Sequence, residues 1–140
     1  LAKGLAKTGR QREHFDLNLF LLVALGPDKR QCIEDTRRSI AFYAAFAQYD
    51  RYFSEIGFGE EARAICQAVQ AKDESALRRA CSDAMVEHIA LVGSADEVRA
   101  RVNRLAPIAD SFTLYSPFHE LSPEQIGEYN RRIADAFYQQ

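Results

Sequence analysis

The side chains able to carry chemistry in this chain are few and scattered. His14, His88 and His119 lie far apart and pair with no evident nucleophile or ligand set. Cys32, Cys66 and Cys81 are odd in number and widely spaced, which fits reduced thiols in a cytosolic protein better than a disulfide framework or a zinc site. Gly-x-Gly-x-x-Gly, Walker, Gly-x-Ser-x-Gly and His-Glu-x-x-His motifs are all missing. Aromatic residues remain. Between Ile40 and Gly57 stand Phe42, Tyr43, Phe46, Tyr49, Tyr52 and Phe53, a set that either lines an apolar pocket or is plain helical core.

The elements that must position these groups form a short series. Phe15–Leu25 starts with alternation (Phe15, Leu17 and Leu19 against Asp16 and Asn18) and ends as a continuous apolar run. Such a pattern predicts a strand with both faces covered, as in a parallel sheet. Gly26-Pro27-Asp28 ends it and opens a helix to about Ala47, with Ile33, Ile40, Ala41 and Ala44 on one side. Shorter helices are predicted near Glu60–Ala71, Ser75–Cys81 and Ala84–Leu91, the last closed by Gly93. Ser94-Ala95-Asp96-Glu97 has capping-box spacing, and Ala95, Val98, Val102 and Leu105 form the stripe of the helix that follows. Ser111–Tyr115 is the second predicted strand. Ser122-Pro123 starts a last helix whose buried stripe is Ile126, Tyr129, Ile133 and Phe137.

Two strands joined by a long helical crossover make a βαβ unit of a larger parallel sheet. Ligands of such sheets bind beyond the carboxyl ends of the strands. Leu25–Asp28 and Tyr115–His119 therefore fall on the functional face, and His14 falls on the opposite one. Tyr115 is either a ligand contact or the last inward residue of its strand; His119 is either a proton donor or substrate contact or a solvated loop histidine. Asp96 and Glu97 are read as capping charge at a helix N-terminus. Arg37-Arg38, Arg78-Arg79 and Arg131-Arg132 are read as solvated helix faces.

Composition bounds the rest. With 140 residues, 47% hydrophobic and 27% charged, the chain suits a single folded domain or a piece of one. A net charge of −2 with mixed signs gives no basic stripe for nucleic acid and no polybasic membrane patch. The longest apolar run, Leu19–Leu25, is too short to span a bilayer. An opening on Leu1, inside what reads as a helix tail, suggests a segment of a longer domain.

Four stretches carry a family resemblance: Gly9-Arg10 ahead of Phe15; Ile40-Ala41-Phe42-Tyr43 with Tyr49 and Gly57; Asp83–Val98, containing Val92-Gly93-Ser94-Ala95-Asp96-Glu97-Val98; and Asp110–Pro117. In this order they resemble the C-terminal part of the luciferase-like monooxygenase superfamily, most closely its deazaflavin-dependent branch. That branch often has Gly-Ser-Thr-Pro after Ala-Phe-Tyr, where this chain has Ala44-Ala45-Phe46-Ala47. The resemblance implies an α/β fold: the C-terminal portion of a (β/α)8 TIM barrel, with two parallel strands, a mostly helical crossover, and residues 1–140 as the closing segment of one barrel domain. It implies a cytoplasmic, homo-oligomeric oxidoreductase that uses coenzyme F420, or alternatively FMN, for hydride transfer or oxygenation of a small organic substrate. Tyr43, Tyr115 and His119 are then the expected substrate-side residues, and the cofactor-phosphate loops would precede Leu1. The rival reading is a mostly helical ligand-sensing or dimerisation module without catalytic activity.

Overall fold

The computed structural model describes residues 2–138. Strand β1 (Asn18–Leu25) follows a first helix, α1 (Ala2–Thr8), and a tight turn. Five helices come next: α2 (Lys29–Ala44), α3 (Asp50–Glu55), α4 (Gly59–Ala71), α5 (Glu74–Ala80) and α6 (Asp83–Ile89). Then follow β2 (Leu91–Gly93), α7 (Ala95–Leu105), β3 (Ser111–Tyr115) and α8 (Pro123–Phe137).

The sheet is parallel throughout, in the order β2-β1-β3. Strand β3 pairs with the first part of β1, from Asn18 opposite Ser111 to Leu22 opposite Tyr115. Strand β2 pairs with its last part, Val23 to Leu25 opposite Leu91 to Gly93. The predicted pairing of the two longer strands is therefore found, but two strands become three. The segment read as the end of a helix at Leu91, with Gly93 as its stop, is a short strand. All three of its residues are buried, and Gly93 takes φ +132°, a conformation L side chains rarely adopt. In a barrel, consecutive strands would follow one another as β1-β2-β3; with β1 in the middle, the three strands form an open sheet. Strand β1 also starts at Asn18 rather than Phe15, and α2 ends at Ala44 rather than Ala47.

Strand geometry divides the core in two. Leu22 and Ala24 point to a larger core with Ile40, Ala41, Phe53, Ile65, Leu77 and Met85. Val23 and Leu25 point to a smaller one with Val98, Val102 and Ile133. Both faces are thus covered where β1 is a continuous apolar run. Its amino-terminal half keeps one face open: Phe20 is 64% exposed, and a polar ladder runs beside it. Asn18 donates to Ser111 Oγ (2.9 Å) and accepts from Thr113 Oγ1 (3.1 Å).

Caps fix the helix starts. Asp28 accepts from the amides of Arg30 (2.9 Å) and Gln31 (3.2 Å) at α2. At α7 the expected capping box forms: the Ser94 amide donates to Glu97 Oε2 at 2.7 Å, and the Glu97 amide donates to Ser94 Oγ at 3.3 Å. One arginine departs from expectation. Arg37 is buried, not solvated, because Glu34, Asp83 and the Cys81 carbonyl accept its guanidinium protons; a buried charge persists only with such partners.

Candidate functional site

Two cavities adjoin the aromatic stretch of α2 and α3. The larger, about 460 Å³, is lined by Phe20 and Leu22 of β1, Ile40 and Tyr43 of α2, Tyr49, Tyr52 and Phe53 at α3, Ile89 of α6, and Tyr115 at the end of β3. It exists because β1 and β3 present alternate side chains on one face, and α2 and α3 lean over that face. Register places Leu22 opposite Tyr115 and Phe20 opposite Thr113, so Phe20, Leu22 and Tyr115 share a surface.

Ring contacts hold the walls. Phe20 stacks on Tyr115 with centroids 4.3 Å apart and planes 20° from parallel. Tyr43 meets Tyr49 edge-on at 5.3 Å, and Tyr52 meets Phe53 in the same way at 5.3 Å. These are the offset and edge arrangements that aromatic quadrupoles favour. Tyr43 and Tyr115 line the same cavity. Burial, first, and then the proximity of Tyr43 push the Tyr115 phenol well above its ordinary range. Tyr115 is therefore a neutral hydrogen-bonding group at any physiological pH.

The second cavity, about 290 Å³, is lined by Arg38, Ala41, Phe42, Ala45, Phe46, Val69, His119 and Glu120. His119 lies here and not in the tyrosine cavity; the two share no lining residue. Its imidazole stacks on Phe42 at 4.2 Å and 24° and tilts against Phe118 at 4.2 Å. Nε2 is buried with no hydrogen-bond partner among the described residues, and burial lowers the ring's pKa against an opposing pull from Glu120. A tether fixes this loop: the Phe118 amide donates to Ser39 Oγ at 3.4 Å, with Ser39, Ser116 and Pro117 buried beneath it. Ser116-Pro117 is thus a packed anchor rather than a simple exit turn. Phe42 and Tyr43, edge-on at 5.4 Å, form the wall between the cavities.

Of the three predicted site residues, the structure brings Tyr43 and Tyr115 together and sets His119 on the other side of that wall. The aromatic stretch divides likewise: Tyr43, Tyr49, Tyr52 and Phe53 face the larger cavity, Phe42 and Phe46 the smaller. Phe20, Leu22, Ile40 and Ile89 were not expected at the site. The alternation Asn18-Leu19-Phe20-Leu21 carries a signal for Phe20, since the register that buries Val23 and Leu25 on one face puts Phe20 on the other. Among the described residues no group of His, Cys, Asp and Glu could hold a metal ion, and no helix is long and apolar enough to cross a membrane.

The sequence model of the luciferase-like monooxygenase family matches residues 1–109. That span includes the cavity wall from Phe20 to Ile89 and stops before β3 and α8. Among curated relatives, the uncharacterized protein Rv1360 of Mycobacterium tuberculosis strain H37Rv is 27% identical over 114 residues. The uncharacterized protein Mb1395 of Mycobacterium bovis matches to the same degree. Each alignment covers 79% of this chain and 34% of the relative, so the chain spans about a third of the length of the curated relatives it matches. No solved structure matches the chain. With the family's sequence model covering most of its length, the chain belongs to the luciferase-like monooxygenases, a family of oxidoreductases.

Proposed function

We propose that this chain forms the C-terminal part of a (β/α)8-barrel oxidoreductase that transfers hydride between coenzyme F420 and a small organic substrate, FMN being the alternative cofactor. The whole protein is read as a cytoplasmic homo-oligomer. One observation carries the reading: a cavity walled by tyrosines opens on the face of two neighbouring parallel strands, and Tyr115 stands at the carboxyl end of one of them. Active sites of barrel enzymes gather at that end. Strands β1 and β3, adjacent and parallel with a helical connection, serve as consecutive barrel strands in this reading, and β2 is a short addition at the carboxyl end of β1. The open face around Phe20 and the Asn18–Ser111 ladder is where the remaining strands would close. The preference for F420 rests on the Ala41-Phe42-Tyr43 helix and its following Tyr49 and Gly57, which resemble the deazaflavin branch.

The residues present suit one end of such a cofactor and not the other. Flat aromatic walls accept a tricyclic ring, but the larger cavity is lined by no lysine or arginine. The first turn of α2 does not supply a phosphate site either, because the Asp28 carboxylate already accepts from its amides. The phosphate-bearing end of F420 or FMN does not fit these residues. What this chain supplies is the substrate side: Tyr43 and Tyr115 against the substrate, with His119 beyond the Phe42–Tyr43 wall in the second cavity.

A kinetic split tests this assignment. In the whole protein, Tyr115→Ala is expected to raise KM for the substrate by about tenfold, the effect of losing one buried hydrogen bond and a stacked ring. Cofactor affinity should stay within about twofold. A loss of cofactor binding with KM unchanged would remove Tyr115 from the substrate side.

A further inference from the structure

The tyrosine cavity has an unusual chemical character for a polar-lined pocket: four phenols and no charge. Its hydroxyl groups come from Tyr43, Tyr49, Tyr52 and Tyr115, and every other lining side chain is a hydrocarbon. A ligand carrying a carboxylate or phosphate would give up its hydration there and meet no counter-charge from the lining residues of this chain, which is strongly unfavourable. A purely hydrocarbon ligand would leave the hydroxyls without a partner, which also costs free energy.

The hydroxyl pair narrows the choice further. A phenol has one proton to donate and lone pairs to accept with. Tyr43 and Tyr115 each bring one such proton to the cavity. The Tyr115 ring is fixed by its stack on Phe20 and the Tyr43 ring by its edge contact with Tyr49, so the pair is held before any ligand arrives. Burial keeps the Tyr115 phenol protonated at neutral pH. The preferred partner is a hydrogen-bond acceptor on a flat apolar body. A volume near 460 Å³ falls within the roughly 300–1,000 Å³ usual for small-molecule pockets.

We propose that this cavity selects uncharged, planar aromatic or polycyclic carbonyl compounds, with the carbonyl oxygen accepting a hydrogen bond from the Tyr43–Tyr115 hydroxyl pair. The proposal rests on reading the cavity as the substrate side of the oxidoreductase, but it does not depend on which cofactor is used.

Three probes with one ring system separate the terms: 2-acetylnaphthalene, 2-naphthoate and 2-ethylnaphthalene. Their binding to the whole protein is measured by titration calorimetry, with and without F420. The ketone should bind about tenfold more tightly than either other probe, the difference one well-placed hydrogen bond or one avoided charge burial provides. In the Tyr43→Phe/Tyr115→Phe double variant, checked for fold by circular dichroism, the ketone should fall to the affinity of ethylnaphthalene. Ethylnaphthalene itself should bind the variant at least as tightly as it binds the native protein, because the Tyr43 and Tyr115 hydroxyls are no longer left without a partner. Naphthoate binding as tightly as the ketone, an unchanged ketone affinity in the double variant, or no probe binding in either state would overturn the proposal. Because binding is read without turnover, F420 binding alongside a failed probe series sinks the ligand class alone, whereas a successful series without F420 binding sinks the cofactor reading alone.

Discussion

Cys81 shows how burial sets the behaviour of a single side chain. It is fully buried, and desolvation pushes its thiol from 9.0 up to about 12, against a smaller opposing pull from Arg37. The folded state therefore holds the neutral thiol more tightly than the unfolded chain does. The stability this lends is fully present below about pH 9 and is lost as pH rises toward 12. Urea unfolding at stepped pH should show native protein and Cys81→Ala converging between those values; parallel curves would contradict the assignment. Thiol labelling gives a second reading of the same packing. Cys66 is half-buried and should react first, while Cys32 and Cys81, both buried, should react only on unfolding. The same logic of burial makes Arg37 a structural residue, although its sequence neighbourhood, Arg37-Arg38 on a helix, gives no sign that one guanidinium faces inward. That information lies in Asp83 and the Cys81 carbonyl, more than forty positions away.

The junction of β2 and α7 carries the most specific local design in the chain. Gly93 sits at φ +132°, and a Cβ there would lie 2.5 Å from Glu97 Oε2, the atom that caps Ser94. Ser94→Ala should cost about 1 kcal/mol by removing the cap. Gly93→Ala should cost more, about 2 kcal/mol, by straining the backbone and displacing Glu97. Thermal unfolding of both variants checks the order, and Gly93→Ala matching the native protein would contradict it. The capping box was legible because it is written in four consecutive residues. Strand β2 was not: Leu91-Val92-Gly93 is too short for any periodicity to show and follows a helix without a turn signal, so only its pairing with Val23–Leu25 defines it. The cavity was half legible for the same reason. Helical spacing grouped Phe42, Tyr43, Phe46, Tyr49, Tyr52 and Phe53 without showing that Phe42 and Phe46 turn to the second cavity, whereas the contributions of Phe20, Leu22 and Ile89 depend on how β1 and α6 pack against that stretch. His119 was placed at the carboxyl end of β3 by topology, but the tether to Ser39 turns its ring toward Phe42 and the second cavity.

At the scale of the whole molecule, the three-stranded sheet argues for a larger assembly and against the helical sensor, which has no use for parallel strands covered on both faces at one end. The other end of the sheet leaves Phe20 and the Asn18 ladder uncovered, and isolated small parallel sheets with open edges are seldom stable. Under the proposed function, the cofactor's phosphate is held by parts of the whole protein other than this chain, and the substrate by its tyrosine cavity. Titrating F420 and FMN against both the whole protein and the 140-residue chain, followed by intrinsic fluorescence, tests this most directly. The account predicts saturable binding of F420 to the whole protein, at least about tenfold tighter than FMN (about 1.4 kcal/mol), and no appreciable binding of either by the chain alone. Tight binding of either cofactor to the 140-residue chain, or no F420 binding by the whole protein, would contradict it.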